Sequence, residues 1–171
     1  MQVHLTHPSM KEILNTPAAE AKLHRMAIEL AERNQHSDSL VLIGIRENGI
    51  LIANHIAELL PAYFSGPVQV LSLSINKRDP GEVSLDKDIS IEGRSVILID
   101  DVANSGRTML YALPAIINRK PRQVETLALI ERSHKKFPVA VNYVGLSIAT
   151  TSEEHIEVEM KDGRIVGAWL K

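Results

Sequence analysis

The stretch SVILIDDVANSGRTML, from Ser95 to Leu110, contains the pattern that decides the fold. It opens with an unbroken apolar run that ends abruptly at two adjacent carboxylates, Asp100 and Asp101. An apolar run without alternation is typical of a central strand in a parallel sheet that is covered on both faces. Apolar residues at helical spacing begin at Met109. The predicted order is therefore strand, acidic pair, short polar loop and helix.

The acidic pair and the polar loop together predict a site for a sugar phosphate. Small residues let backbone N–H groups approach a ligand closely, and the start of the next helix adds unpaired donors and a positive dipole end. Carboxylates at the carboxyl end of a parallel strand can accept hydrogen bonds from the vicinal hydroxyls of a sugar. The alternative is that the two aspartates only leave the sheet and cap the helix. The residues of this candidate phosphate cradle are Ala103, Asn104, Ser105, Gly106, Arg107 and Thr108.

The rest of the chain repeats the strand, loop and helix order. The run LVLIGI at 40–45 predicts a buried strand, and the polar loop Arg46-Glu47-Asn48-Gly49 leads into a helix that ends near Pro61. Alternation of strands and helices predicts an α/β fold with a parallel sheet, right-handed crossovers and a site along the carboxyl ends of the strands. Further strands are predicted at 68–75, 124–130 and 139–146, and a hairpin with its turn at Asp162-Gly163 ends the chain.

One charged segment, NKRDPGEVSLDKDI at 76–89, lacks the apolar spacing of a core element. It contains Pro80-Gly81, which favours a turn. We interpret the segment as either a mobile excursion or a hairpin between two strands.

Composition limits the class of protein. The 171 residues suit a single domain, residues 1–171, with 44% hydrophobic and 23% charged residues. The absence of cysteine excludes disulfides and thiolate chemistry and is compatible with a cytoplasmic location. No apolar run approaches the ~20 residues of a membrane span, so no membrane association is expected. The net charge of −2 gives no general attraction to nucleic acid.

The segment IDDVANSGRT at 99–108 resembles the phosphoribosyl pyrophosphate signature of type I phosphoribosyltransferases. The segment GIRENGILIA at 44–53 is similar to the pyrophosphate-binding loop of the same family, which often contains a non-proline cis peptide bond. The resemblance implies a central parallel sheet flanked by helices, with a small hood and a flexible loop. It also implies a place in nucleotide salvage.

This resemblance assigns a role to each loop. It implies that Asp100 and Asp101 hold the ribose hydroxyls and stabilise positive charge on the sugar ring, while residues 103–108 hold the 5′-phosphate. Pyrophosphate would contact the loop of Arg46, Glu47, Asn48 and Gly49, together with Lys77 and Arg78 of the flexible lid. Mg²⁺ would arrive on the pyrophosphate and have no direct protein ligand.

The segment at 127–159 is similar to the bifunctional regulators of pyrimidine operons that have uracil phosphoribosyltransferase activity. Those proteins typically carry a Thr-Arg pair where this chain has Glu47-Asn48. The acceptor base is left open between uracil and a purine, and the relatives imply a homo-oligomer, with a dimer favoured. An RNA-binding regulator that senses nucleotide without turnover is the alternative, with basic clusters at 119–122 and 134–136 as the surface. The residues implied to form a hood over the base are Arg132, Tyr143, Val144 and Ser147.

Overall fold

The computed structural model describes residues 10–76 and 78–171. A short 3₁₀ helix, Leu60–Ala62, follows the second of its three α-helices. The strands and α-helices of the described residues, in chain order, are β1 (Lys11–Asn15), α1 (Thr16–Arg33), β2 (Leu40–Ile45), α2 (Asn48–Leu59), β3 (Val68–Ile75), β4 (Val83–Leu85), β5 (Ser95–Ala103), α3 (Arg107–Ile117), β6 (Gln123–Arg132), β7 (Tyr143–Ile148), β8 (Ile156–Lys161) and β9 (Arg164–Leu170).

The main sheet has six strands in the order β4-β3-β2-β5-β6-β7. Strands β3, β2, β5, β6 and β7 are parallel, and β4 pairs antiparallel with β3. The three-residue strand β4 therefore forms a hairpin with β3. Of the two interpretations of the charged segment at 76–89, a mobile excursion or a hairpin, the structure shows the hairpin. This mixed, mostly parallel sheet with flanking helices confirms the predicted α/β fold.

Strand β5 lies at the centre of the sheet because both of its faces are apolar and covered. Ile97 and Ile99 pack into the core layer formed with helices α1 and α2. Val96 and Leu98 point to the opposite layer, which includes Met109 of α3. Full burial of such a side chain stabilises the fold by about 1.5–3 kcal/mol. The uninterrupted apolar run is thus explained by cover on both faces.

A second, small sheet has the order β1-β9-β8 and is antiparallel throughout. Its β8–β9 hairpin turns at Asp162 and Gly163, both with positive φ, as the sequence predicts. Strand β1 has no counterpart in the sequence predictions. Val158 of β8 and the α1 and α2 side chains share one core layer, which holds the small sheet near the main one.

The predicted strand at 139–146 is wrong at both ends, because β7 spans Tyr143–Ile148. Side-chain hydrogen bonds hold the segment before it: Thr126 Oγ1 donates to the Ala140 carbonyl at 2.7 Å, and Asn142 Oδ1 accepts from the Thr126 backbone N–H at 2.9 Å. Apolar residues therefore occur there without a strand ladder. In the described part of the chain, no helix has the length and apolarity needed to cross a membrane.

Candidate functional site

A cavity of about 740 Å³ lies at the carboxyl ends of β2, β3 and β5. Four parts of the chain meet there: the loop between β2 and α2, the turn after β3, the acidic pair with the loop that follows it, and the start of β8. This is the edge of the sheet at which the sequence predicts the site. The lining residues are Ile45, Arg46, Glu47, Asn48, Ser74, Ile75, Asn76, Pro80, Asp100, Asp101, Val102, Asn104, Arg107, Thr108, Tyr111 and Ile156.

The two adjacent carboxyls of the site are not equivalent. Asp100 is only 9% exposed, and its Oδ1 accepts from the Asp101 backbone N–H at 2.9 Å. Burial first, and the neighbouring Asp101 carboxylate second, raise the pKa of Asp100 well above its usual range. Asp101 is half-buried and accepts from the Val102 backbone N–H at 2.8 Å. Burial thus disfavours the charged form of Asp100, whereas the Asp101 side chain is more accessible at the wall of the cavity.

The raised pKa of Asp100 predicts a pH-dependent gain in stability for Asp100→Asn. The unfolded chain releases this proton near pH ~3.9, while the folded protein keeps it to higher pH. Above this pH the folded state binds more protons than the unfolded chain does. The free energy of unfolding of the wild type therefore falls as pH rises from about 3.9 through the raised pKa of Asp100. The amide introduced by the substitution cannot ionise, so the variant should gain stability relative to the wild type as pH rises from about 4 to about 8, measured by urea unfolding. A pH-independent difference between Asp100→Asn and the wild type would contradict the argument.

The loop from Ala103 to Thr108 is fixed by its own backbone contacts. The Ser105 carbonyl accepts from the backbone N–H groups of Lys136 and Phe137, each at 3.0 Å. Gly106 has φ +82°, and a Cβ there would lie 3.2 Å from the Phe137 carbonyl oxygen. Helix α3 begins at the next residue, whose backbone N–H donates to Ser105 Oγ at 3.3 Å, and the N–H groups of the rest of its first turn follow directly. A turn of this kind at a helix start has the chemistry to accept an anion.

The members of this loop differ in their access to the cavity. Ala103 is buried at the end of β5, and Gly106 is buried beneath the segment after β6. The residues of the loop that line the cavity are Asn104, Arg107 and Thr108.

The loop between β2 and α2 packs tightly against the acidic pair. The Arg46-Glu47 peptide bond is cis, as the resemblance implies. Arg46 Nε donates to Ser72 Oγ at 3.0 Å, whereas Glu47 is exposed at the cavity. Asn48 Nδ2 donates to Asp101 Oδ2 at 2.9 Å and to the Val158 carbonyl at 3.1 Å. The loop thus lies at the site, with one of its side chains bonded to the acidic pair.

Within the predicted lid, the described residues between β3 and β4 form a compact turn. The Asn76 side chain accepts from the Arg78 backbone N–H at 2.9 Å and donates to Glu82 at 2.7 Å. Arg78 is exposed and does not line the cavity, whereas Asn76 and Pro80 do. Lys77 lies outside the described residues.

The four predicted hood residues do not line the cavity. Tyr143 is fully buried, and its hydroxyl donates to Glu125 Oε2 at 2.8 Å; its assignment to a base hood stays a prediction. Burial and Glu125 raise the pKa of Tyr143, so its hydroxyl stays protonated.

The other three hood residues have separate surroundings. Arg132 donates through Nη2 to the Thr151 carbonyl at 2.8 Å. The Val144 carbonyl accepts from Arg25 at 2.8 Å, and Ser147 is exposed on strand β7 at the edge of the main sheet. Their assignment to base binding stays a prediction.

Several lining residues were not assigned to the site by the sequence analysis, among them Tyr111 and Ile156. Tyr111 lies one turn after Arg107 on α3, and the Arg107 guanidinium stands 5.5 Å from the centre of its ring. The i, i+4 spacing of these two residues was the available signal. Ile156 comes from β8, whose position over the sheet edge has no local signature.

The carboxylates of the cavity fit a cation that arrives with a phosphate ligand. Among the described residues, no group of three or more His, Cys, Asp or Glu side chains converges as a metal cage. Glu47 and Asp101 nevertheless line one cavity, and hard oxygen donors of this kind suit Mg²⁺ that keeps water and phosphate ligands. Arg46 and Glu47 also line a second cavity of about 540 Å³, with Ser72, Asp86 and Lys87.

Comparisons with known proteins agree with this geometry. Residues 9–162 match the family model described as a phosphoribosyl transferase domain. The Bifunctional protein pyrR of Enterococcus faecalis is 35% identical over 161 residues, which cover 89% of this chain and 90% of that protein. The protein of the same name from Bacillus cereus is 32% identical over 162 residues, with 88% and 90% covered.

Solved structures resemble the chain in fold. A hypoxanthine-guanine phosphoribosyltransferase from Bacillus anthracis aligns with a TM-score of 0.73 and 19% identity, over 94% of this chain and 99% of that one. The hypoxanthine phosphoribosyltransferase of Trypanosoma cruzi aligns with a TM-score of 0.75 and 18% identity, over 92% and 94%. At these identities the likeness concerns the fold alone.

Proposed function

Because the chain belongs to the phosphoribosyltransferase family, we propose that it transfers the ribose 5-phosphate of phosphoribosyl pyrophosphate to a nucleobase, uracil or a purine, and releases pyrophosphate. One observation carries the proposal: the acidic pair, the loop at its carboxyl end and the loop before α2 all line one cavity of about 740 Å³. The 5′-phosphate, the ribose hydroxyls and the pyrophosphate of the donor then each have a part of the cavity with suitable chemistry.

The 5′-phosphate is assigned to the loop at 103–108. Its backbone is held by the Ser105 carbonyl contacts, and α3 presents its unpaired N–H groups at the same place. The exposed Arg107 side chain adds a cation at the rim of the cavity. This end of the donor is therefore fixed before the reaction.

The reaction forms a bond between a base nitrogen and C1 of the ribose, while the bond from C1 to the pyrophosphate oxygen breaks. Positive charge develops on the sugar ring between these events. The Asp101 carboxylate stabilises this charge electrostatically, and the carboxyl of Asp100 beside it forms a hydrogen bond with a ribose hydroxyl. Positioning and electrostatics, without a covalent nucleophile, carry the chemistry.

Glu47 and Asp101 line the cavity and would lie beside Mg²⁺ that arrives with the pyrophosphate, and the ion would neutralise charge on the leaving group. The chain itself places Arg46 at this end of the cavity, with its guanidinium oriented by Ser72. Glu47 adds negative charge at the same rim, which makes a bound divalent cation more important here.

The surface contacts support an enzyme over an RNA-binding regulator. In the basic cluster at 119–122, Arg119 lies 3.4 Å from Asp88 and Arg122 donates to Ser95 at 2.9 Å. In the cluster at 134–136, Lys135 forms an ion pair with Glu131. Basic side chains that are already paired contribute less to binding phosphates of nucleic acid.

The proposal is tested by pyrophosphate release from phosphoribosyl pyrophosphate and Mg²⁺ with uracil, guanine, hypoxanthine, xanthine and adenine in turn. We expect release that depends on one of these bases. No release with any base would overturn the proposal, and RNA binding that weakens steeply with salt in the same preparation would favour the regulator.

A further inference from the structure

We propose that Asn48 is a positioning residue, whose side-chain amide fixes the Asp101 carboxylate and ties strand β8 to it, and that it does not bind pyrophosphate. The inference rests on the proposed function, because it assigns Asp101 to the ribose. It gives Asn48 a role different from the one that its place in the loop suggests.

The hydrogen bonds of Asn48 use both of its amide protons. Nδ2 donates to Asp101 Oδ2 at 2.9 Å and to the Val158 carbonyl at 3.1 Å. A carboxamide nitrogen carries two protons, so these two contacts exhaust its capacity as a donor. Its remaining group is an acceptor oxygen, which has no attraction for the oxygens of pyrophosphate.

The contacts of Asp101 show what Asn48 positions. One carboxylate oxygen accepts from the Val102 backbone N–H at 2.8 Å, and the other accepts from Asn48. Two donors on different oxygens fix the plane of the carboxylate. Because the amide is neutral, it orients Asp101 without cancelling the charge that the reaction uses.

The backbone next to Asn48 keeps this distance constant. A Cβ on Gly49 would lie 2.6 Å from the Ile99 carbonyl oxygen and 3.2 Å from Asp100 Cα, so the start of α2 lies directly against β5. The close packing of α2 against β5 therefore fixes the distance that the Asn48 side chain spans to reach Asp101.

The bond to Val158 joins the small sheet to the acidic pair. Val158 is a buried residue of β8, and Ile156 on the same strand lines the cavity. Asn48 is the side chain that contacts both the carboxylate of Asp101 and the backbone of this strand. A change in the placement of β8 is therefore transmitted to the carboxylate.

The test compares Asn48→Asp and Asn48→Ala with Asn118→Asp. Asn48→Asp keeps the shape but removes both donors and places a second carboxylate against Asp101, while Asn48→Ala removes the donors without adding charge. Asn118→Asp makes the same charge change at an exposed position at the end of α3, where the side chain lines neither cavity. The readouts are kcat and KM for phosphoribosyl pyrophosphate, and amide hydrogen exchange of residues 156–161.

For Asn48→Asp we expect kcat to fall by ~100-fold, with KM for phosphoribosyl pyrophosphate changed by less than about threefold. Asn48→Ala should lower kcat by about 10-fold, and both variants should exchange faster at 156–161. Asn118→Asp should match the wild type in all three measurements. An increase of KM with unchanged kcat would overturn the inference, because it would place Asn48 on pyrophosphate, and so would unchanged exchange at 156–161 in both variants.

These outcomes separate the inference from the proposed function. If the wild type releases no pyrophosphate with any base, the proposed function fails. Hydrogen exchange then decides whether Asn48 ties β8 to Asp101: faster exchange in Asn48→Ala supports the tie, and equal exchange overturns it.

Discussion

Asp101→Asn is expected to lower kcat for pyrophosphate release by about 100- to 1,000-fold, the usual cost of removing one electrostatic stabiliser of a transition state. Asp101 is the more accessible carboxyl of the pair, because Asp100 is only 9% exposed. The Asp101 oxygens are oriented by Val102 and Asn48 at the wall of the cavity. The substitution preserves the shape of the side chain and removes its charge, and steady-state kinetics at saturating base measures the effect.

Asp162→Asn is the matched control for this charge change. Asp162 lies in the turn between β8 and β9 with φ +50°, a conformation that asparagine adopts readily. We expect wild-type kcat for this variant. If Asp101→Asn kept a third or more of the wild-type kcat, the electrostatic role of Asp101 would be wrong.

Gly49→Ala is expected to lower kcat/KM by at least ~100-fold and to reduce the free energy of unfolding by about 1–3 kcal/mol. The added methyl would meet backbone atoms, the Ile99 carbonyl oxygen at 2.6 Å and Asp100 Cα at 3.2 Å, neither of which is the end of a flexible side chain. The start of α2 or the end of β5 must move, and either movement separates the two loops of the site. Kinetics and urea unfolding measure the two effects.

Gly81→Ala is the corresponding control for stability. A Cβ at Gly81 meets the Asp79 side-chain oxygen at 3.3 Å, which a small rotation relieves. We expect a change in the free energy of unfolding within about 0.5 kcal/mol. Wild-type kcat/KM in Gly49→Ala would show that the contact between the loop and β5 does not hold the site together.

Local patterns predicted most of the main sheet. The apolar run at 40–45 coincides with β2, because a strand covered on both faces has no polar positions to blur its ends, and the mixed run at 68–75 coincides with β3. Strand β1 escaped prediction, since five residues of mixed polarity become a strand only by pairing with β9 at the far end of the chain. At 139–141 the sequence analysis predicted a strand that the structure does not have, because side chains of Thr126 and Asn142 hold that apolar segment.

In the candidate site too, features that are local in the sequence were predicted and contacts between distant residues were not. The acidic pair and the loop at 103–108 were predicted together, because they are contiguous in the chain and end one strand. The bond from Asn48 to Val158 joins residues 110 positions apart and depends on where the small sheet lies. No local pattern signals such a contact. Tyr143, which the resemblance assigns to a hood, is the first residue of β7 and lies in register with Leu127 of β6, which in turn pairs with Ile99.

The central claim is that the cavity at the carboxyl edge binds the sugar phosphate through the loop at 103–108. It is tested most directly by titrating the ¹⁵N-labelled protein with ribose 5-phosphate and following the backbone amide resonances. We predict that the largest shifts occur at Ser105 to Thr108, with smaller shifts at Asp101. Largest shifts at Ser72, Asp86 and Lys87, which line the second cavity, with unmoved resonances at Ser105 to Thr108, would contradict the claim.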